Sequence, residues 1–190
     1  NGAWAGFIPS TESVGSPIDN NSSDLLITPE VSGAYASTIN SSAISGGVGS
    51  GASVGSTESM RVDFVTDLRG DPAGSGGYSD ATNRDHVFDG HYTVNGSTAT
   101  FTATNGSMIK ITASDDTDGN NAVGDGIKDH INSVVIGYNG VFQTITATAV
   151  LESYTINGHV YTVQLNADGS VNVGGVYGTS GAGAIGTEIA

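Results

Sequence analysis

Segments in which apolar and polar residues alternate recur along this chain, and short turn signals separate them. "MRVDFV" sets Met60, Val62 and Phe64 against Arg61, Asp63 and Val65, with Asp63 on the opposite face from Phe64; a period of two is that of a β-strand. "DLLIT", "AYASTI", "SVVIGY" and "VFQTITATAV" are further strand candidates, rich in residues that fit a pleated surface. Asn-Gly recurs at Asn95, Asn105, Asn139 and Asn157, and Asp-Gly at Asp89 and Asp168; these pairs favour tight turns between antiparallel strands. "HYTVNGSTATFTATNGSMIKITAS" therefore reads as three strands joined at Asn95-Gly96 and Asn105-Gly106. "VLESYTINGHVYTVQLNADGSVNVGGV" reads as three more, joined at Asn157-Gly158 and Asp168-Gly169. Two meanders predict an all-β fold, a β-sandwich-like domain with long loops.

Helix signals are weak, because Gly, Thr, Ser and Asn occupy most windows; at most a short turn is expected around Ile127 to Ile131. "SSAISGGVGSGASVGSTES" reads as a flexible or edge loop, and "GTSGAGAIGTE" as a linker leaving the domain. The organisation expected is one β-rich domain over residues 1–178 and a tail over 179–190, with no internal repeat.

Charge narrows the choice of partners. Five Lys and Arg face 19 acidic residues, for a formal charge of -14, which argues against electrostatic binding of nucleic acid or an anionic membrane. Fourteen of the acids are Asp, and eleven of those lie between Asp63 and Asp129; short carboxylates among Gly and Asn suit both turns and cation cages. The absence of cysteine removes disulfides, thiolate metal sites and thiol nucleophiles, and disfavours zinc. No stretch approaches the roughly 20 apolar residues of a membrane-spanning helix. A Cys-free, acidic, Gly/Ser/Thr/Asn-rich chain with few lysines fits an extracellular bacterial surface protein, where calcium is plentiful, and reads as a monomeric module of something longer.

The run "SDDTDGNNAVGDGIKDH" gathers five aspartates between Asp115 and Asp129. Carboxylates at that density must spread into water, take up protons or bring in a cation. Calcium wants roughly six to eight oxygen ligands. Asp116, Asp118 and Asn120 alternate so that an inward-curving loop aims all three at one point, with Asp115 beside them and Gly119 permitting the bend. Asp125 and Asp129 close the shell. The glycine offset and the missing Glu at the twelfth place exclude an EF-hand. The competing reading is a solvated acidic loop.

A second acidic stretch, "DLRGDPAGSGGYSDATNRDHVFDGHY", offers Asp80, Asp85 and Asp89 to one or two further cations, along with Asp67 and Asp71. Against this stand surface ion pairs, Asp85 with Arg84 or Asp71 with Arg69, which are worth little. Arg69-Gly70-Asp71 spells an integrin-binding tripeptide, but three residues carry almost no specificity and a turn explains them. Nor is the chain read as an enzyme. His86, His91, His130 and His159 accompany no G-x-S-x-G elbow or H-E-x-x-H helix. A sugar cleft wants several stacking aromatics, whereas Trp4 is the only tryptophan.

The succession "MRVDFVTDLRGDP", "HVFDGHYTVNG", "ITASDDTDGNNAVGDGIKD" and "SVVIGYNG" resembles domains toward the C-terminal end of giant RTX adhesins exported by type I secretion in Gram-negative bacteria, in particular their calcium-dependent peptide-binding module, over residues 1 to 176. The resemblance implies a β-rich domain with several structural calcium ions and a groove for a short peptide, whose terminal carboxylate completes the shell of one exposed ion. It implies adhesion to proteins on another cell surface. Within it, Tyr78, Arg84 and the amides of Gly76 and Gly77 are the candidates for holding the peptide, since a glycine-rich loop brings N–H groups to a carboxylate and arginine forks onto it. A calcium-rigidified spacer in a long surface fibre and a calcium-dependent lectin are the alternatives.

Overall fold

The β-branched and aromatic segments form strands, and no helix occurs among the described residues. The computed structural model describes residues 5–7, 22–32, 34–35, 38–41, 46–49, 51, 53–68, 87–101, 106–116, 119, 123–176 and 183–189. Where the sequence reads as one domain with a tail, the chain divides into two compact units: Asn1–Tyr92 with Thr117–Gly124, and Thr93–Asp116 with Asp125–Ala190.

The first unit contains β1 (Ala5–Phe7), β2 (Ser23–Val31), β3 (Ala34–Tyr35), β4 (Ile39–Ser41), β5 (Gly46–Val48), β6 (Glu58–Thr66) and β7 (Gly90–His91). One sheet runs β1-β2-β6-β7 with β3 on β2, and β4 pairs with β5. Strands β2 and β6 pair from Ser23↔Thr66 to Val31↔Glu58, and directly opposed residues share a face. One face carries Leu26 and Val65, fully buried with Leu68, Phe88 and the partly buried Val123. The other carries Ile27 and Met60 against Ala5, Ile39 and Val48. A pair covered on both sides needs apolar residues at successive positions, which is why "DLLIT" runs Leu-Leu-Ile rather than alternating.

The second unit is a β-sandwich. Its strands are β8 (Gly96–Phe101), β9 (Ser107–Ile111), β10 (Ala113–Asp115), β11 (Ile127–Asp129), β12 (Ile131–Tyr138), β13 (Val141–Thr146), β14 (Glu152–Ile156), β15 (His159–Leu165), β16 (Val171–Val176) and β17 (Gly183–Ile189). The sheets are β13-β12-β17-β8 and β14-β15-β16-β9, with β10-β11 as a separate ribbon. A single core takes Val134, Ile136 and Ile145 from the first sheet and Tyr161, Val163 and Val173 from the second. Asn139 and Asn157 adopt φ of 49° and 46°, followed by Gly140 at 79° and Gly158 at 82°; paired left-handed residues make the type I′ turns that suit twisted hairpins.

The meander expected over 150–176 forms as β14-β15-β16, beginning at Glu152. The one expected over 91–114 does not: β8 pairs with β17 and β9 with β16, in different sheets, so the chain passes from one sheet to the other between Phe101 and Ser107. The stretch read as a short turn, 127–131, contributes β11 and the start of β12. Residues Gly183–Ile189, within the stretch read as a tail, pair with both β12 and β8, and so supply hydrogen bonds to two strands that would otherwise be left with open edges.

Candidate cation site at the aspartate ribbon

Strands β10 and β11 pair through Ala113↔Asp129, Ser114↔Lys128 and Asp115↔Ile127. Opposed residues share a face and neighbours alternate, so Asp115 and Asp129 lie on one side of the ribbon and Lys128 on the other. As diagonal neighbours the two aspartates stand about 7–8 Å apart at the backbone, close enough for carboxylates to converge on one ion. Among the described residues no lysine, arginine or histidine forms an ion pair with either. Asp129 turns Oδ1 to the N–H of His130 at 2.7 Å. Asp115 and Ile127 are exposed at the outer end of the ribbon. Gly126 faces Asp116: a Cβ there would stand 2.9 Å from the Asp115 carbonyl oxygen and 3.2 Å from the Asp116 Cβ, so a side chain at 126 would push the two strands apart.

The ribbon's lysine is engaged elsewhere. Lys128 Nζ lies 3.4 Å from Asp168 Oδ2, and Lys110 Nζ, the chain's other lysine, lies 3.0 Å from the same oxygen. Asp168 sits in the β15–β16 turn, where its Oδ1 accepts the Ser170 N–H at 3.2 Å and the Ser170 hydroxyl. The Ser170 hydroxyl, then Lys110, hold the Asp168 carboxyl well below the usual carboxylate range.

Of the shell expected from sequence, Asp115, Asp116, Asp125 and Asp129 belong to the second unit, and the segment with positions 118 and 120 belongs to the first. Gly119 takes φ +79°, the bend anticipated for it. Asp118 and Asn120 themselves lie outside the described residues, as do Asp80, Asp85, Tyr78, Arg84, Gly76 and Gly77. Asp89 is exposed in the first unit, its N–H donating to the Thr66 carbonyl at 2.9 Å. Among the described residues, three or more acids or histidines nowhere gather into a metal-binding group. The donors present at the ribbon are hard oxygens, the kind calcium takes, and they furnish two carboxylates of a shell that needs more.

A second acidic arrangement pairs Asp67, a candidate from the second acidic stretch, with Asp24, which the sequence does not single out. In the first unit Asp24 and Asp67 are both fully buried. The Ser22 hydroxyl stands 3.4 Å from Asp24 Oδ2 and 3.4 Å from Asp67 Oδ1, while the Ser22 N–H donates to Asp67 Oδ1 at 3.1 Å and the Leu68 N–H to Asp24 Oδ2 at 2.8 Å. Asp67 holds φ at +51°, in the left-handed region that Asp tolerates better than most residues. Asp24 opens a strand pattern, where an acid ordinarily marks a solvated end; nothing local distinguishes it.

The chain matches no family model, no curated protein and no solved structure.

Proposed function

We propose that the chain is a calcium-stabilised β module of an extracellular bacterial adhesin, serving as a rigid element of a surface fibre. The observation that carries this reading is the aspartate ribbon: Asp115 and Asp129 share a face with no cationic partner among the described residues, while Lys128, the one basic residue of their strands, is held by Asp168. Like charges kept together in that way favour a divalent ion. A charge of -14 and the resemblance to RTX adhesin domains support the same reading.

Thermal melting with calcium and with chelator tests it. An ion that binds only the native state at a hundred times its dissociation constant adds about 2.7 kcal/mol, which for a chain of this size raises the melting temperature by about 5–10 °C. Coincident melting curves in the two conditions overturn the proposal. Recognition of a peptide terminus would depend on Tyr78, Arg84, Gly76 and Gly77. A calcium-dependent hit in a screen of peptide C-termini, lost on Arg84→Ala, would replace the spacer role with that one.

A further inference from the structure

We infer that β13 is a dimerisation edge, pairing antiparallel with β13 of a second copy of the chain about a twofold axis at Thr144, so that one sheet continues across both sandwiches. The inference goes beyond the calcium reading and does not depend on it. Among the described residues β13 ends its sheet, and an exposed edge is a template for another strand unless charge, proline or a bulge blunts it. Strand β13 has none of the three. Val141–Thr146 is six residues long in unbroken register against β12, and no residue from Ile131 to Leu151 is charged. The edges of the other sheet are guarded: β14 opens on Glu152, and β9 carries Lys110.

Asn139-Gly140 is a two-residue turn, so Tyr138 and Val141 form a hydrogen-bonded pair and the ladder alternates from there. Val141, Gln143 and Ile145 direct their backbone groups to β12, as Ala147 does when its N–H donates to the Asn132 carbonyl at 2.9 Å. Phe142, Thr144 and Thr146 therefore direct theirs outward. The Phe142 ring lies back over Gly137, its opposed neighbour, where a Cβ would collide with it, and so leaves the edge open.

Two observations select a second copy as the strand that fills this edge. Four of the nine large apolar residues exposed among the described residues flank it: Val141 (47%) and Phe142 (62%) at its start, Val150 (67%) and Leu151 (59%) past its end. Antiparallel pairing of two identical edges brings the start of each against the end of the other, so both groups are covered at once. With Thr144 opposite Thr144, Phe142 falls opposite Thr146 of the second copy, and the outward groups supply about six backbone hydrogen bonds. The second observation is charge. At -14 two copies repel each other, and an uncharged edge lets them meet without setting carboxylates face to face.

Sedimentation equilibrium of the whole chain tests the pairing. A single-strand contact lies at the small end of protein interfaces, so a dissociation constant of about 10–100 μM is expected. Thr144→Lys sets two ammonium groups opposite each other at the axis and should weaken the dimer at least about tenfold. Thr155→Lys, at an exposed position of β14, should leave it within about twofold. A second readout needs no variant: raising the wild-type concentration should slow hydrogen exchange selectively at the amides of Phe142, Thr144 and Thr146, because those of Val141, Gln143 and Ile145 already bond to β12. The chain has no cysteine, so Thr144→Cys introduces the sole thiol. Opposed Cα atoms of a hydrogen-bonded pair stand about 5.5 Å apart, within disulfide range, and mild oxidation should link two copies. A wild-type chain still monomeric at about 1 mM, a dimer that Thr144→Lys does not weaken, one that Thr144→Cys does not link, or slowing that spares the three outward amides overturns the proposal. So do assemblies larger than two, which pairing of β13 with the uncharged β8 edge of the next copy would build. A monomer whose outward amides slow only with an added extended peptide assigns the edge to a foreign strand and overturns it as well. None of these outcomes bears on calcium binding, and a chain that takes up no calcium leaves the dimer standing.

Discussion

Asp24, in strand β2, and Asp67, the residue just past β6, meet at a single residue, with the Ser22 hydroxyl 3.4 Å from a carboxylate oxygen of each. Both acids are fully buried, so their value depends on the hydrogen bonds that replace water. Asp24→Ala removes the acceptor of the Leu68 N–H and should cost about 1–3 kcal/mol in urea unfolding. Asp67→Asn, which keeps an oxygen for Ser22 and tolerates positive φ, should cost less than Asp67→Ala, where the left-handed backbone alone adds about 1–2 kcal/mol. Equal losses for the two Asp67 variants would mean that the charge, rather than the conformation, matters there.

The period-two pattern and the Asn-Gly turns made the sandwich legible, because both are local: Asn139-Gly140 and Asn157-Gly158 dictate their hairpins without help from the rest of the chain. What was illegible is long-range. The pairing of β8 with β17 joins segments far apart in sequence, and Gly, Ala and Thr in "GAIGTEI" look like linker until two neighbouring strands claim them. The acidic run stands out by composition alone, but the contact of Lys128 with Asp168 lies forty positions on, and no spacing rule connects them.

Two glycines separate the cost of conformation from the cost of contact. Gly140 at φ +79° has nothing within 4 Å of where a Cβ would stand, whereas at Gly175, φ +76°, a Cβ would run into the Val160 carbonyl oxygen. Gly140→Ala should therefore lose only the left-handed penalty of about 1–2 kcal/mol. Gly175→Ala should lose that and more, because the neighbouring backbone of β15 must move and the bulge between Val173 and Val176 would have to reshape. The difference in urea midpoints measures the bulge; equal midpoints would show that β16 yields without cost.

Asp168 gives stability a definite dependence on acid. Its carboxyl is held below the usual range, first by the Ser170 hydroxyl and then by Lys110, so it favours the native state once pH exceeds its unfolded value of about 3.9. That contribution is lost as pH falls through the lower folded value. The gap between wild type and Asp168→Asn in urea midpoint should hold steady from pH 7 to 5 and then narrow progressively as pH falls below about 4. A gap that does not narrow at all between pH 4 and pH 2 would assign the effect to turn geometry instead of charge.

Val123 belongs to the aspartate run by sequence, yet its side chain packs with Leu26, Val65, Leu68 and Phe88 in the core of the first unit. The second unit has a core of its own, built from the two sheets of the sandwich. Trimming Val123 should therefore loosen one set of strands selectively. Val123→Ala, a half-buried truncation, is expected to cost about 1 kcal/mol. In hydrogen exchange that loss should appear as faster exchange of the β2 and β6 amides, with those of β15 and β16 unchanged. If instead all four strands lose protection together, the two units unfold as one, and the partition into separate cores has no energetic counterpart.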